Sequence, residues 1–153
     1  DTESIHAFII GEHGDSELAV WSGTNVAGIP IHDFCEFRGH YHHTEAMEAI
    51  YHRVKNSAYD IIDRKGATYY GIAMAVSHIT ESIIRNKNSI LPISSLLTGQ
   101  YGIRDLYLSI PTIVNRGGAQ QPLEIPLSGQ EHLALTKSAK TLKEVIASLD
   151  LSI

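Results

Sequence analysis

Two runs rich in apolar and β-branched residues, at positions 89–97 and 106–115, are linked through residues 100–105. Such runs read as strands, and so short a link makes them a hairpin. A hairpin pairs its strands antiparallel, which sets the architecture of this part of the chain. Gly117-Gly118 reads as another turn, and residues 123–126 as a further short strand. Residues 4–10 also read as a strand, with His6, Phe8 and Ile10 alternating against Ile5, Ala7 and Ile9. A polar turn at 11–16, an extended stretch at 18–28 and an irregular, histidine-rich stretch at 29–43 follow.

Helical spacing takes over after that. Thr44 can cap a helix running to residue 64, with Met47, Ile50, Tyr51, Val54, Ala58, Ile61 and Ile62 in register. Lys65-Gly66 interrupts it. A second helix is predicted over 68–85, with Tyr69, Ile72, Ala73, Val76, Ile79 and Ile83 on its buried face. Residues 86–88 read as a turn. The last helix is predicted over 128–149, its apolar positions including Leu133, Leu135, Ala139, Leu142, Val145 and Ile146. This order predicts an α+β fold: a mostly antiparallel sheet with long helices packed on it. The strand–helix alternation of a nucleotide-binding sheet is absent, as are G-x-G-x-x-G and phosphate-loop motifs.

The 153 residues suffice for one domain, and 43% hydrophobic with 19% charged residues is ordinary for a soluble protein. A net charge of -5 argues against a nucleic-acid surface. Cys35 stands alone, which fits a reducing compartment. The opening DTESIHAFII has acidic residues where a secretion signal is basic. No stretch approaches the roughly 18 apolar residues of a membrane-spanning helix. The expectation is a cytoplasmic protein with neither membrane nor nucleic-acid partners. The chain starts without methionine and opens almost directly into a strand, which reads as a piece of a larger protein; a processed mature chain is the other reading.

The chemistry concentrates in Gly11-Glu12-His13-Gly14-Asp15-Ser16. Glycines near a histidine let backbone approach a ligand closely. An imidazole exchanges a proton near neutral pH. From spacing alone His13 is either an acid/base group or a structural histidine. His40, His42 and His43 cluster around Tyr41, near Glu45 and Glu48. A metal site needs three or four converging ligands, and no such spacing exists here, so a solvated loop is expected.

The segment FIIGEHGDSELAVWS resembles the active-site segment of L-lactate dehydrogenases, within the lactate/malate dehydrogenase family. KGATYYGIA is similar to that family's helix break beside the substrate, and LLTGQYG and IPTIVNRGG to its later strands and turns. The resemblance runs from end to end. It implies that residues 1–153 are the C-terminal substrate-binding domain, with an NAD-binding Rossmann domain lying upstream. It implies that His13 is the catalytic histidine, giving a proton to the carbonyl oxygen of pyruvate or taking one from L-lactate. Thr68 matches the threonine closing the substrate pocket, although its hydroxyl can equally bond back into its helix. Ile72 matches an apolar residue packed on the nicotinamide ring, and helix core is equally compatible. His6 matches a histidine that in allosteric bacterial members binds fructose 1,6-bisphosphate at a subunit interface; a strand histidine without that role is the alternative. Glu12 and Asp15 are expected to hold the loop, because the carboxylate that orients the histidine comes from an earlier segment in the family.

The resemblance further implies a homotetrameric parent, NAD as cofactor and no metal. The arginines that grip the substrate are not in this chain, so negligible turnover is expected from it alone. A malate or L-2-hydroxyisocaproate dehydrogenase domain, or a non-catalytic assembly module, are the alternatives. A surface that packs on a nucleotide domain would leave an apolar patch here.

Overall fold

The computed structural model describes residues 1–149. Among them every strand pairing is antiparallel. The predicted hairpin is β6 (Ser89–Thr98) and β7 (Arg104–Asn115), and β8 (Gly118–Pro122) extends it on the β7 side. Ser89 pairs with Val114 and Leu97 with Leu106, before a register shift at Thr98. The link turns through Gly99, at φ +148°, and a short 3-10 turn over Gln100–Gly102. Along β7 the side chains of Leu106, Leu108, Ile110, Thr112 and Val114 are buried at every second position. That period of two is a sheet with one face on the core.

The opening of the chain departs from the expected single strand. Residues 2–4 form a 3-10 turn, and two short strands follow, β1 (Ile5–His6) and β2 (Ile9–Ile10). β2 pairs with β3 (Leu18–Ala19), whereas β1 pairs with β4 (Asn25–Val26), itself paired to β5 (Ile29–Pro30). The break has a local cause. The segment paired with it, in this same chain, kinks through a 3-10 turn at Trp21–Gly23 between β3 and β4, so the strand facing it breaks too. Residues 18–28 are accordingly not one extended stretch.

Residues 29–43 are more ordered than expected. They contain β5 and α1 (Ile31–Phe37), in which Ile31, Phe34 and Cys35 are half-buried at helical spacing. α2 (His43–Lys65) begins without any side-chain cap, its N-cap being His42; Thr44 lies inside the first turn. It ends where predicted, at Gly66 in the left-handed region (φ +79°), whose N–H bonds to the Ile62 carbonyl at 2.7 Å. α3 (Tyr70–Ile84) follows, shorter than its predicted span.

The predicted buried face of α3 is mostly uncovered. Tyr69, Ala73 and Val76 are exposed and Ile72 is 58% exposed, Ile79 and Ile83 are half-buried, and only Ser82 is buried. Ile50, Val54, Ile61 and Ile62 of α2 are exposed as well. The helical periodicity is real, but no described residues cover these faces. The strand expected at 123–126 lies upstream instead: pairing resumes directly after the glycine turn, with Gly118 opposite Asn115, and stops at Pro122.

The core joins both ends of the chain. Ile10, Leu18 and Val20 pack with Leu97, Leu106, Leu108 and Ile110 of the hairpin and with Leu135 and Ala139 of α4 (Gly129–Ser148). α4 starts on a capping box: the Ser128 hydroxyl accepts from the Glu131 N–H, and the Glu131 carboxylate accepts from the Ser128 N–H at 2.7 Å. Glu131 also takes the Ser22 N–H at 3.0 Å. Burial pushes its carboxyl up, but the bonds from Ser22 and Ser128 outweigh this and hold it below its ordinary range. No helix among the described residues is long and apolar enough to cross a membrane.

Leu135 is fully buried, whereas Leu133, two positions away, is 70% exposed. Leu135→Ala is therefore expected to cost about 2–5 kcal/mol in urea unfolding, and Leu133→Ala less than about 0.5 kcal/mol. Equal effects would mean that α4 packs through another face.

Candidate active site

The loop that carries His13 is tied to the sheet at its first residue. Gly11 donates its N–H to the Ser109 carbonyl of β7 at 2.8 Å and accepts the Ser109 N–H at 3.2 Å. It is buried at φ +99°, and a Cβ there would lie 2.8 Å from the Ser138 hydroxyl and 3.2 Å from Leu18. Only glycine meets both conditions.

Residues 12–17 then turn back on themselves. The Glu12 carboxylate accepts the Ser16 hydroxyl at 2.6 Å and the Ser16 N–H at 3.2 Å, and the Glu12 N–H donates to the Ser138 hydroxyl at 2.8 Å. α2 supports the other flank. Lys55 donates to the Asp15 carbonyl, Tyr59 to the Asp15 carboxylate at 3.3 Å, and Tyr51 to the Glu17 carbonyl. Glu12 and Asp15 thus hold the loop in the structural roles expected of them.

His13 is exposed at the crest of this turn, and neither ring nitrogen hydrogen-bonds to another described residue. The loop around it is acidic. Burial pushes the Glu17 carboxyl above its ordinary value; His13 and Lys55 pull it down, while Glu12 and Asp15 push it up. A cavity of about 620 Å³ lies between the loop and α4, lined by Glu12, Asp15, Ser16 and Glu17 with Lys137 and Leu142 among others. His13 is not among its lining residues, so this cavity is not the imidazole's own pocket.

Three other predicted residues are placed apart from the loop. Thr68 is exposed in the break between α2 and α3, Ile72 lies exposed near the start of α3, and His6 is exposed on β1 opposite Asn25. Neither Thr68 nor Ile72 lines the cavity beside the His13 loop. In the histidine-rich stretch, His43 Nε2 lies 2.6 Å from His32 Nδ1, and its other nitrogen 3.3 Å from the His40 carbonyl. That stretch is a helix junction rather than an irregular loop. Among the described residues no group of three or more His, Cys, Asp or Glu converges as a metal site.

The sequence model for the alpha/beta C-terminal domain of lactate/malate dehydrogenases matches residues 1–150. The chain belongs to this family. An L-lactate dehydrogenase of Acetivibrio thermocellus is 50% identical over 151 residues, covering 99% of this chain and 48% of its own. L-lactate dehydrogenase 1 of Clostridium acetobutylicum is 50% identical over 149 residues, covering 97% and 48%. The crystal structure of the minor L-lactate dehydrogenase from Enterococcus mundtii, in its ligands-bound form, superposes with a TM-score of 0.92 at 39% identity. It covers 99% of this chain and 48% of that one. The chain spans about half the length of the curated relatives it matches.

For a lactate/malate dehydrogenase C-terminal domain, the sequence readily yields the His13 loop and its glycines. It does not yield the residues that hold the loop. Ser109, Ser138, Tyr51 and Lys55 reach it from β7, α4 and α2. Ser138 is 126 positions from Glu12, so no local pattern signals the contact.

Gly11→Ala forces a side chain into the Ser138 hydroxyl at an unfavourable φ. A loss of about 1–3 kcal/mol is expected in urea unfolding, and an unchanged midpoint would remove the steric argument. Glu17 gives a pH test. Its folded value lies above the ordinary 4.5, so its contribution to stability is present below the unfolded value and is lost as pH rises through the folded one. Glu17→Gln should therefore gain on the wild type in melting temperature as pH rises from about 4 to 7. A gain on acidification instead would reverse the assignment.

Proposed function

We propose that this chain is the C-terminal, substrate-binding half of an NAD-dependent L-lactate dehydrogenase, with His13 as the proton donor and acceptor. The observation that carries the reading is the exposed imidazole, set between two anchored residues with both ring nitrogens free of the described side chains. A catalytic acid/base needs one nitrogen for the substrate and one for an orienting partner. The reading is also supported by the names of the relatives and by the half-length of the match.

In pyruvate reduction the His13 imidazolium polarises the substrate's carbonyl oxygen and donates its proton there, ending neutral. In lactate oxidation the neutral ring takes the hydroxyl proton. The chemistry that NAD would supply when bound is hydride transfer at the adjacent carbon, which leaves the proton at the oxygen to His13. The fit of the described residues to that cofactor is partial. Ile72 offers an exposed apolar side chain to a nicotinamide ring, but no glycine-rich loop after a parallel strand is found among them. The cofactor's main bed therefore belongs to an upstream Rossmann half, which also supplies the substrate-gripping arginines and the carboxylate that orients His13. Thr68, exposed at the helix break, closes the substrate pocket. His6, exposed on β1, is open to a phosphate of fructose 1,6-bisphosphate in a homotetrameric, cytoplasmic parent.

The test uses the full-length polypeptide with NADH and, in turn, pyruvate, oxaloacetate and 2-ketoisocaproate. Highest kcat/KM on pyruvate is expected, and a preference for either other acid would move the assignment within the family. His13→Gln should lower kcat/KM by about 10²–10⁴-fold. Residues 1–153 alone should show negligible turnover; robust turnover by them would refute the two-half reading.

A further inference from the structure

We propose that Ser138, on α4, is a positioning residue for His13, acting through a closed ring of hydrogen bonds that grips the loop on both sides of the imidazole. The proposal rests on the proposed dehydrogenase function. Counting protons fixes the direction of each bond. The Ser16 hydroxyl has one hydrogen, and its 2.6 Å contact with the Glu12 carboxylate uses it, since an ionised carboxylate only accepts. The 3.1 Å contact between the Ser16 and Ser138 hydroxyls must then be donated by Ser138. Ser138 meanwhile accepts the Glu12 N–H at 2.8 Å. The circuit runs from the Glu12 N–H to the Ser138 hydroxyl, on to the Ser16 hydroxyl and back to the Glu12 carboxylate.

One buried hydroxyl thus fastens the residue before His13 and a residue three places after it. Only His13, Gly14 and Asp15 lie between the two grips. The His13 ring makes no hydrogen bond to another described residue, so within this chain the short backbone span is what sets where the ring meets its substrate and the orienting carboxylate of the upstream half. Ser138 is well suited to hold it. It is fully buried, beside the buried Ala139 and one turn after the buried Leu135, so the core fixes the hydroxyl's position. A Cβ at Gly11 would fall 2.8 Å from that hydroxyl, so the glycine is what lets the loop's entry lie this close to Ser138. An alanine in place of Ser138 would take from the Glu12 N–H its hydrogen-bond acceptor among the described residues. Gly14 belongs to the same device: a Cβ there would lie 2.2 Å from the Glu12 carboxylate, blocking the fold-back that closes the ring.

A group placed this way acts on transition-state geometry more than on substrate affinity. In the full-length enzyme, Ser138→Ala is expected to lower kcat by about 10–100-fold with KM changed less than about threefold. The solvent deuterium isotope effect on kcat should rise, as proton transfer becomes limiting. Ser16→Ala, which opens the same ring without touching the core, should do the same. The double variant should be no worse than the poorer single one, because both break one circuit. Amide exchange over residues 9–17 should accelerate in each variant. Equal kcat and isotope effect in a folded Ser138→Ala enzyme, or additive losses in the double variant, would overturn the positioning role while leaving the dehydrogenase reading intact. If Ser138→Ala fails to fold, Ser16→Ala alone decides the matter by the same measures. A wild-type enzyme inactive on all three keto acids would overturn both.

Discussion

The pair of backbone hydrogen bonds between Gly11 and Ser109 is the constraint on which the arrangement rests. It joins the opening segment to the middle of β7, whose inward face is the centre of the core. The N–H and carbonyl of buried Gly11 are satisfied together by those of half-buried Ser109, and leaving such groups unpaired in the interior costs about 1–3 kcal/mol apiece. The bond is possible because residue 11 has no side chain. The loop bearing His13 therefore starts from a point fixed by the most buried strand of the fold rather than from a surface turn.

From that point the loop is built by polar contacts with three separate elements. β7 holds its entry, α4 holds Glu12 and Ser16 through Ser138, and α2 holds Asp15 and Glu17 through Lys55, Tyr59 and Tyr51. The division leaves the imidazole unengaged while its neighbours are committed. Acidic side chains that look like partners for His13 are turned to other work: Glu12 accepts twice from Ser16, and Asp15 accepts from Tyr59. An ionisable group kept free on a well-held backbone is what proton transfer to a positioned substrate requires.

The helices divide differently. α4 buries Leu135, Ser138 and Ala139 against the sheet, and its capping box and Ser22 contact fix its start. α2 and α3 keep much of their apolar faces exposed, including Ile50, Val54, Ile72 and Val76. Their periodicity marks a face able to pack, but it does not mark which partner covers it. In the proposed reading the nucleotide-binding half and neighbouring subunits are the partners, and the exposed apolar surface has the character expected of such contacts.

The sequence by itself determined the antiparallel hairpin, the helix break at Gly66, the final helix, and the singular loop around His13. Each of these is written in residues close to one another: β-branched apolar runs, a Lys-Gly break, apolar helical spacing, glycines around a histidine. Tertiary structure alone decided the rest. The opening strand breaks because its partner kinks at Trp21–Gly23, and α3 is left half-covered because burial depends on a second surface. Ser138 meets Glu12 across 126 positions because the core brings α4 beneath the loop. Local patterns record propensity and periodicity, whereas burial and long-range hydrogen bonds arise only when distant segments are packed together.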